Sequence, residues 1–255
     1  VKNKMIRPTT IPQTLPELIL EQTLAREALS LAFRQHRELA TGLKGVQRER
    51  DISEAFTQRS AESLIDMSEL DLIVGSGGAL SHAPRRQQAM MMMVDAFLPE
   101  GVTELAVDSI FMMPHLGVLS GLNEEAALEV FRENCLIRLG TCVAASNTGK
   151  PGKPCMEYRV TTEDRQVEGE LGVGGLICIP AGEDDECEVE IEPARGVDVG
   201  AGANSTLHTR CRGGEVGIVL DARGRPLELP EDEQERLDLM REWAEAADLY
   251  PERRK

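Results

Sequence analysis

The sequence predicts an α/β layer, followed by a small antiparallel β domain and a C-terminal helix. Three observations lead to this prediction. Strand-like and helix-like segments alternate over residues 1–146, short strand patterns recur between Gly, Pro and Asp clusters over residues 155–229, and a helical segment lies within residues 230–255. The turn-rich sequence NTGKPGKP separates the first two of these three predicted domains.

The first predicted element is a helix that follows an extended lead. Pro8, Pro12 and Pro16 are typical of an extended segment, and the periodicity after them predicts a helix over residues 17–38. Its apolar face is predicted to consist of Leu24, Ala28, Leu31 and Ala32. The sequence TGLKG ends this helix.

A strand, a tight turn and a buried helix are predicted next. After a polar amphipathic stretch at residues 50–63, the apolar residues 72–74 are too few for a helix and are bounded at once by glycines. This pattern indicates a buried strand that enters a tight turn. Residues 85–97 then predict a helix, and four consecutive methionines at residues 90–93 point around all its sides. We therefore expect this helix to be buried nearly all round.

The α/β layer continues with a strand at residues 105–107, a short helix after Pro114, and a helix at residues 124–133 with Asn123 as its N-cap. In the β domain, strands are predicted at residues 157–161, 176–179, 188–192, 207–211 and 216–220. The last helix, residues 231–247, is expected to dock through Leu237, Met240 and Trp243.

The charge and composition exclude several classes of function. The formal net charge is -16, and residues 151–255 hold 25 acidic but only 13 basic side chains. This field repels phosphate backbones and anionic membranes, and a 3% aromatic content offers few stacking platforms for bases. No apolar run has the length of a membrane span, and the start lacks a signal peptide's apolar core. We therefore expect a cytoplasmic protein with no nucleic-acid or membrane partner.

The cysteines show no C-x-x-C spacing, and four of the six have apolar or β-forming neighbours. Buried or reduced thiols explain this pattern better than a metal site or a disulfide framework. No chemistry is therefore assigned to them.

The turn at Gly75, Ser76, Gly77 and Gly78 is the candidate binding site. Glycines reach positive φ and let a ligand lie directly on the backbone, whose free N–H groups can hold phosphate oxygens. A tight strand-to-helix turn without a ligand is the alternative. The motif alone does not decide between them, because it matches neither the P-loop nor the G-x-G-x-x-G fingerprint.

Several polar residues have a functional and a structural interpretation. His82, Arg85 and Arg86 can meet a phosphate or a partner's carboxylate, or form a solvated helix start. Asp108 can be a functional acid, or cap the stretch through residue 112. His115 is expected to be structural. No catalytic triad or paired carboxylates can be identified from the spacing.

A long stretch around the glycine turn resembles one known family. The run DLIVGSGGALSHAPRRQQAMMMMVDAFLPEGVTELAVDSIFMMPHLGVLS looks like the signature of the glutamate mutase L family, also called MutL. The segments EQTLAREALSLAFRQH, LATGLKGVQRER, EVEIEPARGVDVGAG and VGIVLDARGRPLELP are similar to that family too, so the likeness covers nearly the whole chain. The family accompanies adenosylcobalamin-dependent mutases and shares only its name with the DNA mismatch-repair MutL.

The resemblance implies a fold and a ligand. The family is similar to the superfamily of actin, heat-shock chaperones and sugar kinases, whose fold is ribonuclease H-like, and this chain corresponds to its C-terminal half. The implied role of Gly75, Gly77 and Gly78 is to pack against the adenosine of ATP or ADP, with Ser76 and Ala79 lining the same turn. His82 and Arg85 are implied as weaker contacts to the nucleotide.

The resemblance also implies a second lobe. The first phosphate loop, the water-orienting acid and any Mg²⁺ site are expected in an N-terminal lobe that precedes Val1. The segment PHLGVL, residues 114–119, falls where the superfamily has a connecting helix that packs against its counterpart in that lobe. The sequence from Asp198 to Gly202 mimics a D-x-G phosphate loop, but it follows the adenosine-type turn and lies in the β region, which favours a β-turn.

The function implied by the resemblance is an ATP-binding accessory or reactivating chaperone-like factor of adenosylcobalamin-dependent glutamate mutase (methylaspartate mutase) or a related aminomutase. Its expected partners are the mutase subunits, which hold the adenosylcobalamin, and its own N-terminal lobe. Weak ATPase activity would require the complete protein. One alternative is a lobe of an ATP-dependent small-molecule kinase or hydantoinase-like enzyme. Another is a non-catalytic scaffold that docks the mutase through its acidic β domain.

Overall fold

The computed structural model describes residues 6–7, 9–42 and 65–251. The interpretations of Pro8 and of the amphipathic stretch at residues 50–63 concern residues outside this part of the chain. None of the described helices is both long enough and apolar enough to cross a membrane.

The first part of the chain alternates helices and strands, as predicted. Its elements are α1 (Leu15–Gly42), a 3-10 turn (Met67–Glu69), β1 (Leu72–Gly75), α2 (Gly78–Ser81), α3 (Arg86–Phe97), β2 (Gly101–Asp108), α4 (Met113–Ser120), α5 (Glu124–Val130), a π-helical turn (Phe131–Cys135) and β3 (Leu136–Ala144). The second part contains β4 (Pro154–Thr161), β5 (Gln166–Gly172), β6 (Leu176–Ile179), β7 (Glu186–Pro193), β8 (Leu207–Arg212), β9 (Gly217–Asp221) and α6 (Glu233–Ala246).

The strands form two sheets. The first sheet is mixed and has the order β1-β2-β3-β9-β6, in which β1 is parallel to β2 and β3 is parallel to β9. The second sheet, β5-β4-β7-β8, is antiparallel throughout. The α/β class and the C-terminal helix are therefore confirmed. Strands β6 and β9, which follow the predicted linker, complete the first sheet instead of joining their sequence neighbours.

Helix α3 lies inside the protein, as its four methionines predict. Met90 and Met93 are fully buried, and Met91 and Met92 are nearly so. They pack with apolar side chains of the mixed sheet, including Leu105. Because apolar side chains surround α3, its position in the fold is well defined. It therefore helps to position α2 before it and β2 after it.

The predicted apolar face of α1 is wrong. Leu31 is 46% exposed, and Ala28 and Ala32 are exposed as well. The helix instead packs through Ala25 and Leu29, and Phe33 meets Phe97 of α3 edge-on with ring centroids 5.3 Å apart. The face of α1 that packs against α3 is therefore shifted by one residue along the sequence from the predicted face.

Helix α6 docks through its tryptophan. The Trp243 indole N–H donates to the carbonyl oxygen of Gly174 at 2.7 Å, and the Arg223 guanidinium lies 4.9 Å from the ring centroid. Leu237 and Met240, which were expected to dock beside Trp243, are about 40% exposed. The helix therefore presents part of its apolar surface to solvent.

Buried charges join β9 to α3 and α1. Arg223 bonds to Asp221 at 2.8 Å and to Asp95 of α3 at 2.8 Å, and Arg225 bonds to Asp221 at 2.9 Å. Asp95 also pairs with Arg26 of α1 at 2.7 Å. Burial opposes ionisation of Asp221, but the two arginines outweigh it and hold the pKa of this carboxyl well below its usual range. These ion pairs connect both parts of the chain through one charged cluster.

The exposed face of the antiparallel sheet carries rows of charges. One row alternates in sign, because Arg159 lies opposite both Glu168 and Glu190. The adjacent row consists of Glu157 opposite Glu170 on one side and Glu192 on the other. Like charges directly opposite each other destabilise a sheet, so this row of three glutamates lowers the stability of the fold.

The six cysteine thiols lie mainly in the interior of the protein. All six cysteines are free; five are buried and Cys178 is partly buried. Burial raises the pKa of Cys142 and of Cys211 to about 12. These thiols therefore stay protonated and unreactive near neutral pH.

Candidate functional site

The glycine turn links β1 to α2 as the sequence predicts. Strand β1 ends at Gly75, and Gly77 adopts φ 103° and ψ 156°, a conformation that non-glycine residues essentially never take. Helix α2 begins at the next residue, Gly78. Gly77 is therefore required by the backbone geometry of the turn.

The other two glycines of the turn differ in what surrounds them. A Cβ on Gly75 would lie 2.7 Å from Leu80 Cδ1 and 2.8 Å from Met93 Sδ, so this glycine packs against the core. A Cβ on Gly78 would meet nothing closer than His82 Cδ2 at 4.0 Å within the described structure. Gly78 also has no left-handed φ, and glycine is a poor helix former. Neither packing nor backbone geometry accounts for Gly78, which leaves open space in front of it.

A large cavity lies against this open side of the turn. Its volume is about 1150 Å³, and it has three walls. The first wall comes from residues 9–15 and the start of α1, the second from Gly78, Ala79 and residues 82–84, and the third from Tyr250 and Pro251. This cavity, called the turn cavity below, is large enough for a small organic ligand.

The walls of the turn cavity are mostly apolar, with a few polar groups. Ile11, Leu15 and Leu18 face Ala79 and Pro84 across it. Polar side chains also line it: Thr9, Thr10, Gln13, Thr14, Glu21, Gln22, His82 and Tyr250. Such a lining suits a ligand with a flat apolar ring system and hydrogen-bonding groups at its edges.

Asp108 anchors the turn to the segment that follows β2. Its carboxylate accepts hydrogen bonds from the backbone N–H groups of Ile110 at 3.3 Å, Met112 at 3.1 Å and Met113 at 2.9 Å. The Ser76 hydroxyl lies 3.5 Å from the same carboxylate. Burial opposes ionisation, but the backbone donors outweigh it and lower the pKa of Asp108. The capping role is confirmed, and it holds the glycine turn beside α4.

The polar residues that the sequence singled out have different surroundings in the structure. Exposed His82 lines the turn cavity, whereas the Arg85 guanidinium pairs with Asp248. Arg86 donates to the backbone carbonyl oxygen of Ser81 at 2.9 Å. His115 is exposed on α4. Of the basic candidates, His82 is the one beside the cavity.

Sequence reasoning did not identify the other two walls. Gln22 lies about two turns into α1, whose buried face was predicted elsewhere, and Tyr250 lies far from the glycine turn in sequence. An aromatic residue just after a predicted helix, as Tyr250 is, could have been considered as a contact residue. Its hydrogen-bond partner, Gln22, lies 228 residues away in the sequence, and no spacing pattern indicates that pair.

The D-x-G-like loop is a tight turn. The Asp198 carboxylate accepts hydrogen bonds from the N–H groups of Gly200 at 2.8 Å and Gly202 at 3.1 Å, and both glycines have positive φ. An aspartate that bonds to backbone donors just downstream is typical of an Asx turn. This geometry agrees with the turn interpretation.

Apolar surface is exposed near the glycine turn. In the region that the structure covers, β1 pairs with β2 alone, and Leu72 on it is 46% exposed. The segment from the end of β2 through α5 also exposes apolar side chains: Ile110, Phe111, Val118, Leu122, Leu128 and Val130. Phe111 is held in a left-handed conformation with φ 58°. Solvation of so much apolar surface is unfavourable, so this side of the molecule is suited to contact another surface.

Comparison with family models gives one match, to the family described as MutL protein, over residues 1–135. The matched region contains the glycine turn, α3, Asp108 and the exposed apolar segment. The chain belongs to the glutamate mutase L family. This MutL family is distinct from the DNA mismatch-repair proteins of the same name. Comparisons with curated proteins and with solved structures found no match.

Proposed function

We propose that this MutL-family protein binds ATP or ADP and serves as an accessory factor of an adenosylcobalamin-dependent mutase. Gly78 supports the nucleotide part of the proposal, because it faces the turn cavity and has no structural reason to be glycine. Membership of the glutamate mutase L family supports the link to a mutase. Adenosylcobalamin is held by the partner mutase in this proposal.

The adenosine end of the nucleotide is proposed to lie in the turn cavity. The apolar side chains of Ile11, Leu15 and Leu18 provide a surface for the base, and the small residues Gly78 and Ala79 let it approach the backbone. The exposed His82 side chain, which also lines the cavity, is suited to its polar edge. In this assignment Gly78 and Ala79 contact the adenosine, whereas Gly75, Ser76 and Gly77 set the shape of the turn. The phosphates and Mg²⁺ are held mainly by the N-terminal lobe.

The exposed apolar side of the molecule is proposed to meet that N-terminal lobe. The edge of β1 that no described strand covers, and the exposed side chains Phe111, Val118 and Leu122, belong to the elements that flank the glycine turn. A two-lobed cleft that closes on a nucleotide moves as a hinge, and such closure can drive the release of damaged cofactor from a partner. In this way a reactivating activity would follow from nucleotide binding.

Three variants test the nucleotide site by calorimetric titration with ADP, in the protein together with its proposed N-terminal lobe. Gly78→Val fills the open space and is expected to abolish measurable ADP binding, whereas Gly78→Ala adds one methyl group and weakens it less. Gly78→Ala is also expected to stabilise the fold by up to about 1 kcal/mol, because alanine is the better helix former. Gly149→Val is the matched control, since Gly149 also has an ordinary φ and open space but lies far along the chain.

Unchanged ADP affinity in Gly78→Val would contradict the proposed site. The accessory role is tested separately, by measuring the recovery of an inactivated adenosylcobalamin-dependent glutamate mutase with the protein and ATP. Recovery is expected with ATP and not without it. Nucleotide-independent recovery would argue against an ATP-driven factor.

The acidic β sheet supports one alternative, a scaffold that docks the mutase without nucleotide. The uncompensated row of Glu157, Glu170 and Glu192 provides a negative surface for a basic partner. A scaffold predicts that Gly78→Val binds the mutase as well as the wild type does. Pull-down of purified mutase with and without ADP distinguishes the two functions, because only the nucleotide hypothesis predicts a difference.

A further inference from the structure

The third wall of the turn cavity, residues 248–251, is built by the chain just after α6. Asp248 adopts a left-handed conformation with φ 48°, which turns the backbone away from the helix axis. The N–H group of Leu249 then donates to the carbonyl oxygen of Ala244 at 2.9 Å, and its side chain packs into the core around α3. The chain is thereby directed back to the cavity, where Tyr250 and Pro251 line it.

Two hydrogen bonds fasten this segment to α1 and α3, and a third joins the two glutamines that make them. The Tyr250 hydroxyl donates to Gln22 Oε1 at 2.5 Å, and Gln22 Nε2 donates to Gln88 Oε1 at 2.9 Å. Gln88 Nε2 in turn donates to the carbonyl oxygen of Leu249 at 2.8 Å. Gln22 and Gln88 are both buried. Buried polar groups that lose a partner are costly, so these bonds specify one docked position for the segment.

Besides these bonds, Leu249 is held by its apolar packing, and the other described contacts of the segment lie at the surface. Asp248 and Pro251 are exposed, and the pair between Asp248 and Arg85 lies at the surface, where ion pairs contribute little. Burial raises the pKa of Tyr250, so its hydroxyl stays protonated and continues to donate at neutral pH. Beyond Leu249, the described segment is fastened by the bond from Tyr250 to Gln22, and an end held mainly by one hydrogen bond opens more easily than the core does.

We infer that residues 248–251 act as a latch on the turn cavity, and that a bound nucleotide leaves only when Tyr250 separates from Gln22. The inference rests on the proposed nucleotide site. It adds that the C-terminal segment governs how long the nucleotide stays bound. Coupling is reciprocal, so a bound nucleotide also holds the latch closed.

The latch is tested on the protein together with the N-terminal lobe that the proposed site requires, by stopped-flow release of ADP labelled on its ribose with N-methylanthraniloyl, chased with unlabelled ADP. Loss of one hydrogen bond raises the open fraction of the latch, so Tyr250→Phe is expected to release ADP about fivefold faster. Gln88→Met, which removes the bond to Leu249 from a position outside the cavity lining, is expected to act in the same direction. Tyr158→Phe, at the other tyrosine, is the matched control and is expected to release ADP at the wild-type rate.

Hydrogen exchange provides a second measurement. ADP is expected to slow exchange at the N–H groups of Leu249 and Tyr250 in the wild type, and to do so less in Tyr250→Phe. If the wild type binds ADP but both latch variants release it at the wild-type rate, the latch is wrong and the nucleotide site stands. Faster release from Tyr158→Phe as well would also overturn the latch, because the effect would then be general. If the wild type binds no ADP, the proposed site and the latch are both overturned.

Discussion

Single residues in the glycine turn satisfy different physical requirements, although they look alike in sequence. Gly77 supplies a backbone conformation, Gly75 gives space to Leu80 and Met93, and Gly78 leaves a cavity open. The sequence could predict that a tight turn occurs here. It could not assign these three roles, because each depends on what the rest of the fold brings to the α-carbon.

Asp108 provides the residue-scale prediction of pH dependence. Its pKa is lower in the folded protein than the value of about 3.9 in an unfolded chain, so its stabilising effect is full above about pH 4 and is lost as pH falls through the folded-state pKa. Asp108→Asn is expected to lower the free energy of unfolding by about 1–3 kcal/mol at pH 7. The difference from the wild type should shrink below pH 4.

Urea denaturation at pH 7, 4 and 3 measures this difference. Asp71→Asn, at an exposed carboxylate just before β1, controls for the loss of one negative charge. A difference between wild type and Asp108→Asn that stays constant with pH would show that ionisation of Asp108 does not support the turn.

At the scale of elements, the sequence predicts where helices and strands occur better than it predicts which elements pack or pair with each other. The strand before the glycine turn, the buried methionine helix and five strands of the second half were all predicted. Strand β5 was missed, since Gly169 and Gly172 weaken its pattern. Strand β3 was missed because the chain passes into it directly from the π-helical turn, without a Gly or Pro to mark the change.

The ion pairs around Arg223, which link the end of β9 to α3, allow a prediction of how much this contact stabilises the fold. The Arg223 side chain is 1% exposed and contacts Asp221, Asp95 and Trp243. Arg223→Met removes one of the two arginine partners of Asp221 and of Asp95, and is expected to lower the free energy of unfolding by about 3–5 kcal/mol. Arg241→Met, which breaks an exposed pair on α6, should cost at most about 1 kcal/mol.

Urea denaturation compares the two arginine variants. Adding Asp95→Leu to Arg223→Met is expected to recover part of the lost stability, because it removes a carboxylate that lost a partner, and its other partner, Arg26, is partly exposed and can be solvated. Equal losses in Arg223→Met and Arg241→Met would mean that the buried cluster does not join the elements as described.

At the scale of the whole molecule, the mixed sheet is the feature that sequence order conceals. The composition changes at residues 147–154. Strands β6 and β9 come after this point in the chain, yet they extend the sheet that carries the glycine turn. Pairing between distant strands leaves no local trace, so this could not be predicted from the residues on either side. The α/β class was predictable, while the actin-like fold remains a prediction from the family resemblance.

The net charge of -16 gives a prediction for the molecule as a whole. Self-repulsion among the acidic groups destabilises the compact state and is screened by salt. Raising NaCl from about 10 mM to about 150 mM shortens the screening length from about 30 Å to about 8 Å, and is expected to raise the melting temperature by a few degrees. Glu157→Gln, within the row of three glutamates, should reduce this gain. A melting temperature that is independent of salt would contradict the prediction.

The way α6 docks has a practical consequence. Trp243 is the single tryptophan of the chain, and its indole is fixed by Gly174 and by the guanidinium of Arg223. Its emission wavelength and quantum yield therefore report on one contact between the last helix and the body of the protein. The segment of residues 248–251 begins just beyond that helix, so movement there can be followed with light absorbed by the native chain, without any attached dye.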